Sequence, residues 1–326
     1  MNDAKIIDFL NGRTFAVLMG VLLALTAAVA VTTGLTLTPE VEKGVLFSIN
    51  EKLIASPWLS MAVNVAAIVS TALLMQLLNK LFSFVKSFTF VGVAAFFLLQ
   101  LATPITTSSL NTGSVLVLML AVGALVLFGC YQDKQAQGPI FLIMCALSFG
   151  VMLHWPVLVL IPTFLLGFAY LRAMNWRGML AAAIGLFTPF WIVLGLGLAT
   201  PADFHLPEID PMWDAIDLEH VRLLVGWVAF TLVLAIVTTA MNLFAIYNYR
   251  LQLRVYNTFF VMTTLLAVIA MCIDYHNLTS YLPMVNLCLS VQIAHAFTIS
   301  KFPKRHFLLI ALAVACIAAA ASSIAL

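Results

Sequence analysis

The sequence predicts an all-α fold, a polytopic transmembrane bundle of about eleven spans, and three observations predict it. Charged residues are only 9% of the 326, and mean hydropathy is +1.11. The apolar residues gather in runs near the roughly 20 residues that a helix needs to cross about 30 Å of hydrocarbon. The charges fall in the gaps between runs and change sign from gap to gap.

In chain order the runs are 14–36, 57–78, 88–103, 114–130, 139–153, 155–170, 180–199, 223–245, 258–273, 281–299 and 307–325. The first is too long for the apolar core of a signal peptide and has no clean small-residue cleavage site after it, so it reads as a retained helix. Several later runs are short and would stand near the bilayer normal or thin the bilayer locally. The 139–170 stretch is broken only by Gly150 and His154-Trp155-Pro156, so it is two crossings or one re-entrant hairpin. The charges decide for two crossings. The N-terminus and the even gaps hold Lys5, Arg13, Lys80, Lys86, Lys134, Arg172, Arg177, Arg250, Arg254, Lys301, Lys304 and Arg305, which is 12 of 15 Lys and Arg. The odd gaps hold Glu40, Glu42, Glu51, Asp203, Glu208, Asp210, Asp214, Asp217, Glu219 and Asp274, which is 10 of 13 acids. A re-entrant 139–170 would swap every later gap and erase the bias. The positive-inside rule then predicts a cytoplasmic N-terminus and an outer C-terminus.

The chain reads as one integral membrane domain over 1–326, with outer loops at about 37–56 and 200–222. Basic residues are scattered, which argues against nucleic acid as a partner; membrane lipid is the expected one. The five cysteines lie in or beside apolar runs with no CxxC spacing, and read as packing residues. The spans hold almost no ionisable residue. His295 is the clearest, in a stripe with Gln292 and Thr298 that reads as an interhelical hydrogen-bonding group. Asn64, Gln76, Gln100, Asn242 and Asn286 read the same way. Embedded charges and paired broken helices, the marks of ion-coupled transporters, are absent from the sequence pattern.

The chemistry-bearing residues lie in the outer gaps. The 200–222 loop carries six carboxylates, His205 and His220. It reads as a solvated acidic loop or as a lid, with Trp213, Met212, Ile216 and Leu218 as apolar anchors. Asp203, Glu208 and Asp210 are its candidate carboxylates, and Arg222 its one cation. With His205 these acids suit a hard divalent cation by type, but their spacing matches no metal motif, so no metal and no cofactor is expected. The 37–56 loop holds Glu40, Glu42, Lys43 and Lys52, and its 45–54 stretch has the pattern of a segment lying on the membrane. His154 and Trp155 cap one outer turn. Asp274 and His276 form another, at a spacing that suits acid–base work or a cap.

The 114–196 region resembles the middle of an uncharacterised family of polytopic integral membrane proteins from Bacteroidota. The similar elements are a polar turn at Tyr131-Gln132-Asp133-Lys134, a small-residue turn at Phe149-Gly150, Trp155-Pro156, Pro162, Asn175-Trp176-Arg177 and Thr188-Pro189. The same layout resembles the central helices of C-type glycosyltransferases, which use polyprenyl-phosphate sugars at the outer membrane face. Gly150, Pro162, Arg172, Arg177 and Pro189-Phe190-Trp191 sit in the corresponding places. That resemblance implies a base in the first outer loop, where this chain offers Glu40 and Glu42. It also implies cations for the lipid phosphate, here Lys43, Lys52 or Arg222, with His154, Trp155, Asp274 and His276 as further substrate contacts. Three functions follow as expectations: glycosyltransferase-like handling of a polyprenyl-phosphate-linked sugar, a non-catalytic membrane scaffold or partner subunit, and a carrier of lipid or small molecules.

Overall fold

The computed structural model describes residues 3–35, 44–46, 56–85, 89–204, 218–246, 250–299 and 305–325. Every regular element among them is helical. In chain order these are α1 (Asp3–Asn11), α2 (Arg13–Thr33), α3 (Pro57–Phe82), α4 (Val91–Leu101), α5 (Pro104–Thr107), α6 (Thr112–Gly129) and α7 (Gln137–Leu153). There follow α8 (Leu160–Tyr170), α9 (Trp176–Gly195), α10 (Leu218–Ile246), α11 (Leu251–Ile273), α12 (Leu278–Ile299) and α13 (Arg305–Ala325). Short 3-10 turns lie at Trp155–Val159, Pro201–Asp203 and Tyr275–Asn277. Seven helices, α2, α3, α6, α9, α10, α11 and α13, are long and apolar enough to cross a membrane. Among the rest, α4, α7 and the Trp155–Tyr170 stretch are shorter apolar helices. At 1.5 Å per residue, the 17 residues of α7 span about 25 Å.

The interior is a hydrophobic core threaded by a polar network, and the outside is apolar as well. All of α4 is buried, and it lies against α12, α2 and α13. Inside, Asn242 donates to the Gln292 backbone carbonyl (2.7 Å) and side-chain oxygen (2.9 Å), while Gln292 donates to Asn257 (2.9 Å). That network joins α10, α12 and α11. Outside, Trp191 is 80% exposed and Phe187 73%. Both lie on α9, whose main neighbour is α7. Gly185 permits that contact, since a Cβ there would stand 2.7 Å from the Phe141 carbonyl oxygen. Large contiguous apolar surfaces demand a covering, and lipid supplies one for a multi-pass bundle.

Hydrogen bonds sort the helix ends onto two faces. At one face the Phe90 amide donates to the Asn11 carbonyl, the Gln132 amide to Leu171, and the Asn175 side chain to Lys134. The Tyr256 hydroxyl donates to the Phe128 carbonyl (3.1 Å), with the two rings stacked 4.1 Å apart. This is the end that carries Lys134, Arg172, Arg177, Arg250 and Arg254, here the basic end. At the other face the Leu110 amide donates to Ser60 (2.7 Å), Asn111 to the Thr279 carbonyl (3.2 Å), and Thr112 shares a proton with His154 Nδ1 (3.2 Å). Asp203 and Asp274 belong to this face, here the acidic end.

The third run forms one helix, α4, which stops at Leu101; beyond the run, Pro104 restarts the chain as the four-residue α5. Proline has no N–H to continue the ladder and its ring crowds the preceding turn. Asn64 recovers two of the stranded carbonyls, donating to Thr106 (3.0 Å) and Thr107 (3.1 Å). Phe149-Gly150 is not a turn but part of α7; the turn comes at His154. Asn242 and Asn286 do bond between helices, Asn286 to the Leu99 carbonyl, but the side-chain amide nitrogens of Gln76 and Gln100 are buried without a partner. His295 makes no interhelical hydrogen bond either: it is fully buried and neither ring nitrogen has a partner. Its recorded ring neighbour is Phe84, 6.2 Å away.

Candidate functional site

The acidic end has two distinct places, and the described ends of both long loops lie at them. The first is a braced corner over the end of α7. The helix leaves carbonyls without intrahelical donors, and the first outer loop covers two of them. The Val45 amide donates to the Val151 carbonyl (3.3 Å) and the Leu46 amide to Met152 (3.2 Å). Gly44 makes this approach possible, because a Cβ would lie 2.2 Å from the Met152 carbonyl oxygen. Leu46 then packs with Met152, Val193, Ala199 and Phe190, and Phe190 stacks on Phe204 with centroids 6.0 Å apart. So the first outer loop and the start of the 200–222 loop meet at one corner.

The second place is a partly open cavity of about 220 Å³. Its walls are the end of α2 at Leu35, the α4–α5 break at Ala102, Thr103 and Ile105, the first turns of α10, and the end of α13 at Ala319, Ser322 and Ser323. The cavity exists because α4 stops short of the face that its neighbours reach. On α10, Arg222, Leu223, Gly226 and Trp227 recur at helical spacing and line it. Gly226 leaves open space, with nothing within 4 Å of where a Cβ would be.

The electrostatics of the two places differ. Asp203 accepts from the Thr200 amide (2.7 Å) and hydroxyl (2.8 Å) in a capping box. Asp274 accepts from Asn277 (3.0 Å to each oxygen) and from the Tyr281 hydroxyl (2.9 Å). His154 is buried against Thr112. These side chains hold turns and helix ends, the cap reading for Asp274. By contrast Arg222 is exposed and has no hydrogen-bond or ion-pair partner among the described residues. The Trp227 ring is 9% exposed and its indole Nε1 is buried with no acceptor.

Of the other expected site residues, Glu40, Glu42, Lys43, Lys52, Glu208 and Asp210 lie outside the described residues, as does the His276 side chain. Trp155 is half-buried against the core beside His154. No group of three or more His, Cys, Asp or Glu suited to a metal ion occurs among the described residues. Burial, and then the Asp133 carboxylate, hold the Cys130 thiol above its ordinary pKa, which suits packing rather than attack. Sequence reasoning missed Trp227, Gly226 and the restart of the chain at Pro104 as α5. Pro104 followed by three hydroxyl residues within four positions was the available signal for it.

No protein-family model, no curated protein and no solved structure matches this chain.

Proposed function

We propose that the chain crosses the bacterial inner membrane eleven times, with the basic end in the cytoplasm, and handles a polyprenyl-phosphate-linked sugar at the acidic, outer end. The observation that carries this reading is the cavity with its unpartnered Arg222, bordered by the described ends of both acidic loops: Leu35 precedes the segment with Glu40 and Glu42, and Arg222 closes the 200–222 loop. In the reaction an acceptor hydroxyl attacks the anomeric carbon, the bond from that carbon to the phosphate oxygen breaks, and polyprenyl phosphate leaves. Glu40 or Glu42 takes the hydroxyl proton, and Arg222 offsets charge on the leaving phosphate. Lys43 and Lys52 are the other cations near that loop in sequence.

Release of polyprenyl phosphate from a labelled polyprenyl-phosphate sugar, by protein reconstituted with membrane extract as acceptor source, tests this. Changing Glu40 and Glu42 together to Gln should slow release by about 10²–10⁴; full activity in that variant removes them as the base. Labelling of Lys134→Cys and Pro207→Cys in a cysteine-free background tests the topology, and finding both on one side defeats it. The scaffold reading draws on a different observation: Asp203 and Asp274 are consumed by structural hydrogen bonds. Wild-type protein that binds the lipid yet releases nothing would favour it.

A further inference from the structure

The basic end has a corner that the sugar-transfer reading does not use. Two turns meet there, 130–136 between α6 and α7 and 171–175 between α8 and α9. The Gln132 amide donates to the Leu171 carbonyl (2.9 Å), and the Asn175 side chain donates to the Lys134 carbonyl (2.7 Å). Asn175 also caps α9 by accepting from the Gly178 amide (2.7 Å). Each turn keeps a non-glycine residue in the left-handed region, Gln132 at φ 59 and Arg172 at φ 58. That backbone is unfavourable for an L residue, and it persists where the surroundings fix it. Here the bonds between the turns fix it.

The corner carries Lys134, Arg172 and Arg177, all exposed and without an ion-pair partner among the described residues. The one carboxylate on these turns, Asp133, accepts from the Gln135 amide (2.8 Å). Three cations therefore stand against one acid. The Arg177 guanidinium lies over the Trp176 ring, 5.5 Å from its centroid. Trp176 opens α9 and is 67% exposed, as suits a ring at headgroup level. Further along α9, Met179, Leu180 and Ile184 are exposed as well. They recur at helical spacing from Trp176, so one apolar stripe runs from the cations along a helix long enough to cross the membrane.

We infer that this corner seats the headgroup of an anionic phospholipid, its phosphate among Lys134, Arg172 and Arg177 and an acyl chain along the Trp176, Met179, Leu180 and Ile184 stripe. A soluble anion meets the charges but not the stripe. A lipid without net charge meets the stripe but gains little from the charges. Basic residues beside membrane helices attract anionic headgroups in general. The two bonded turns and the Arg177–Trp176 stack make this corner a fixed place rather than a diffuse field. The inference is independent of the sugar-transfer reading, since neither the acidic end nor Arg222 enters it.

The test titrates the full-length protein in detergent with phosphatidylglycerol, with phosphatidylcholine of the same chains, and with soluble glycerol 1-phosphate. Bound lipid is counted by native mass spectrometry, and the unfolding temperature is read alongside. Phosphatidylglycerol should bind saturably and raise that temperature, and the other two should bind at least about tenfold more weakly. Lys134→Gln and Arg177→Gln should each weaken phosphatidylglycerol by about fivefold. Arg172→Gly suits the left-handed backbone, so it should weaken the lipid by about the same factor without lowering the unfolding temperature of the lipid-free protein. Gln132→Gly makes the same backbone change without touching a charge and should bind as wild type. Arg13→Gln, at the start of α2 on the same end, should also bind as wild type. Equal binding of phosphatidylcholine or of glycerol 1-phosphate overturns the inference. Wild-type affinity in the triple variant Lys134→Gln, Arg172→Gly, Arg177→Gln overturns it as well. If Arg13→Gln weakened binding as much as Arg177→Gln, the attraction would belong to the whole end and the site would be lost.

Discussion

At the corner over α7 and at the α11–α12 turn, the polar side chains have partners. At the cavity Thr103 and Ser322 are bonded too, but Arg222 and the Trp227 N–H have no partner among the described residues. His154 meets Thr112, Asp203 caps its own turn, and Asp274 takes three contacts from Asn277 and Tyr281. The difference separates two uses of polarity in a bundle whose outside is apolar. A satisfied carboxylate contributes to the fold, and its removal shows up as lost stability. An unsatisfied donor contributes little to the fold, and its removal shows up only when the ligand is present.

That contrast orders four expected outcomes. Asp274→Ala strips an acceptor from both Asn277 and Tyr281 and should cost about 2–4 kcal/mol, read as a lowered midpoint of thermal unfolding in detergent. Gly44→Ala should cost about 2 kcal/mol: the Cβ cannot sit 2.2 Å from the Met152 oxygen, so the segment shifts and the Val45 and Leu46 hydrogen bonds are lost. A double-mutant cycle of Thr112→Val with His154→Phe should give a coupling of about 1 kcal/mol, which measures that single hydrogen bond. Arg222→Gln should change stability without ligand by less than about 0.5 kcal/mol. If Arg222→Gln destabilised as much as Asp274→Ala, the cavity would be another structural corner and the contrast would collapse.

Much of the fold was legible in the sequence, for a physical reason. A helix in lipid must satisfy its own backbone, so apolar length and the position of charges carry most of the information. The runs at 57–78 and 139–153 correspond to α3 and α7 with ends shifted by a few residues. The end of α4 was legible, since the 88–103 run stops beside Leu101, but the restart at Pro104 as α5 was not read from it. The tertiary state of polar groups was not legible either. Nothing in residue type distinguishes Asp274, which braces a turn, from a free outer carboxylate. His295 reads as a bonding group and lies unpartnered. The cavity was invisible because its lining comes from four separate helix ends, brought together only by packing. Of its residues, the sequence singled out Arg222 alone, as an outer cation.

The most direct test of the central claim, that the unpartnered donors of the acidic end mark its ligand site, is one set of thermal unfolding curves. Wild type, Arg222→Gln and Asp274→Ala would be melted in nanodiscs with and without polyprenyl phosphate. The account predicts that Arg222→Gln keeps the wild-type midpoint and loses the ligand-induced rise, while Asp274→Ala melts lower and keeps the rise. A ligand-induced rise that survives in Arg222→Gln and vanishes in Asp274→Ala would contradict it.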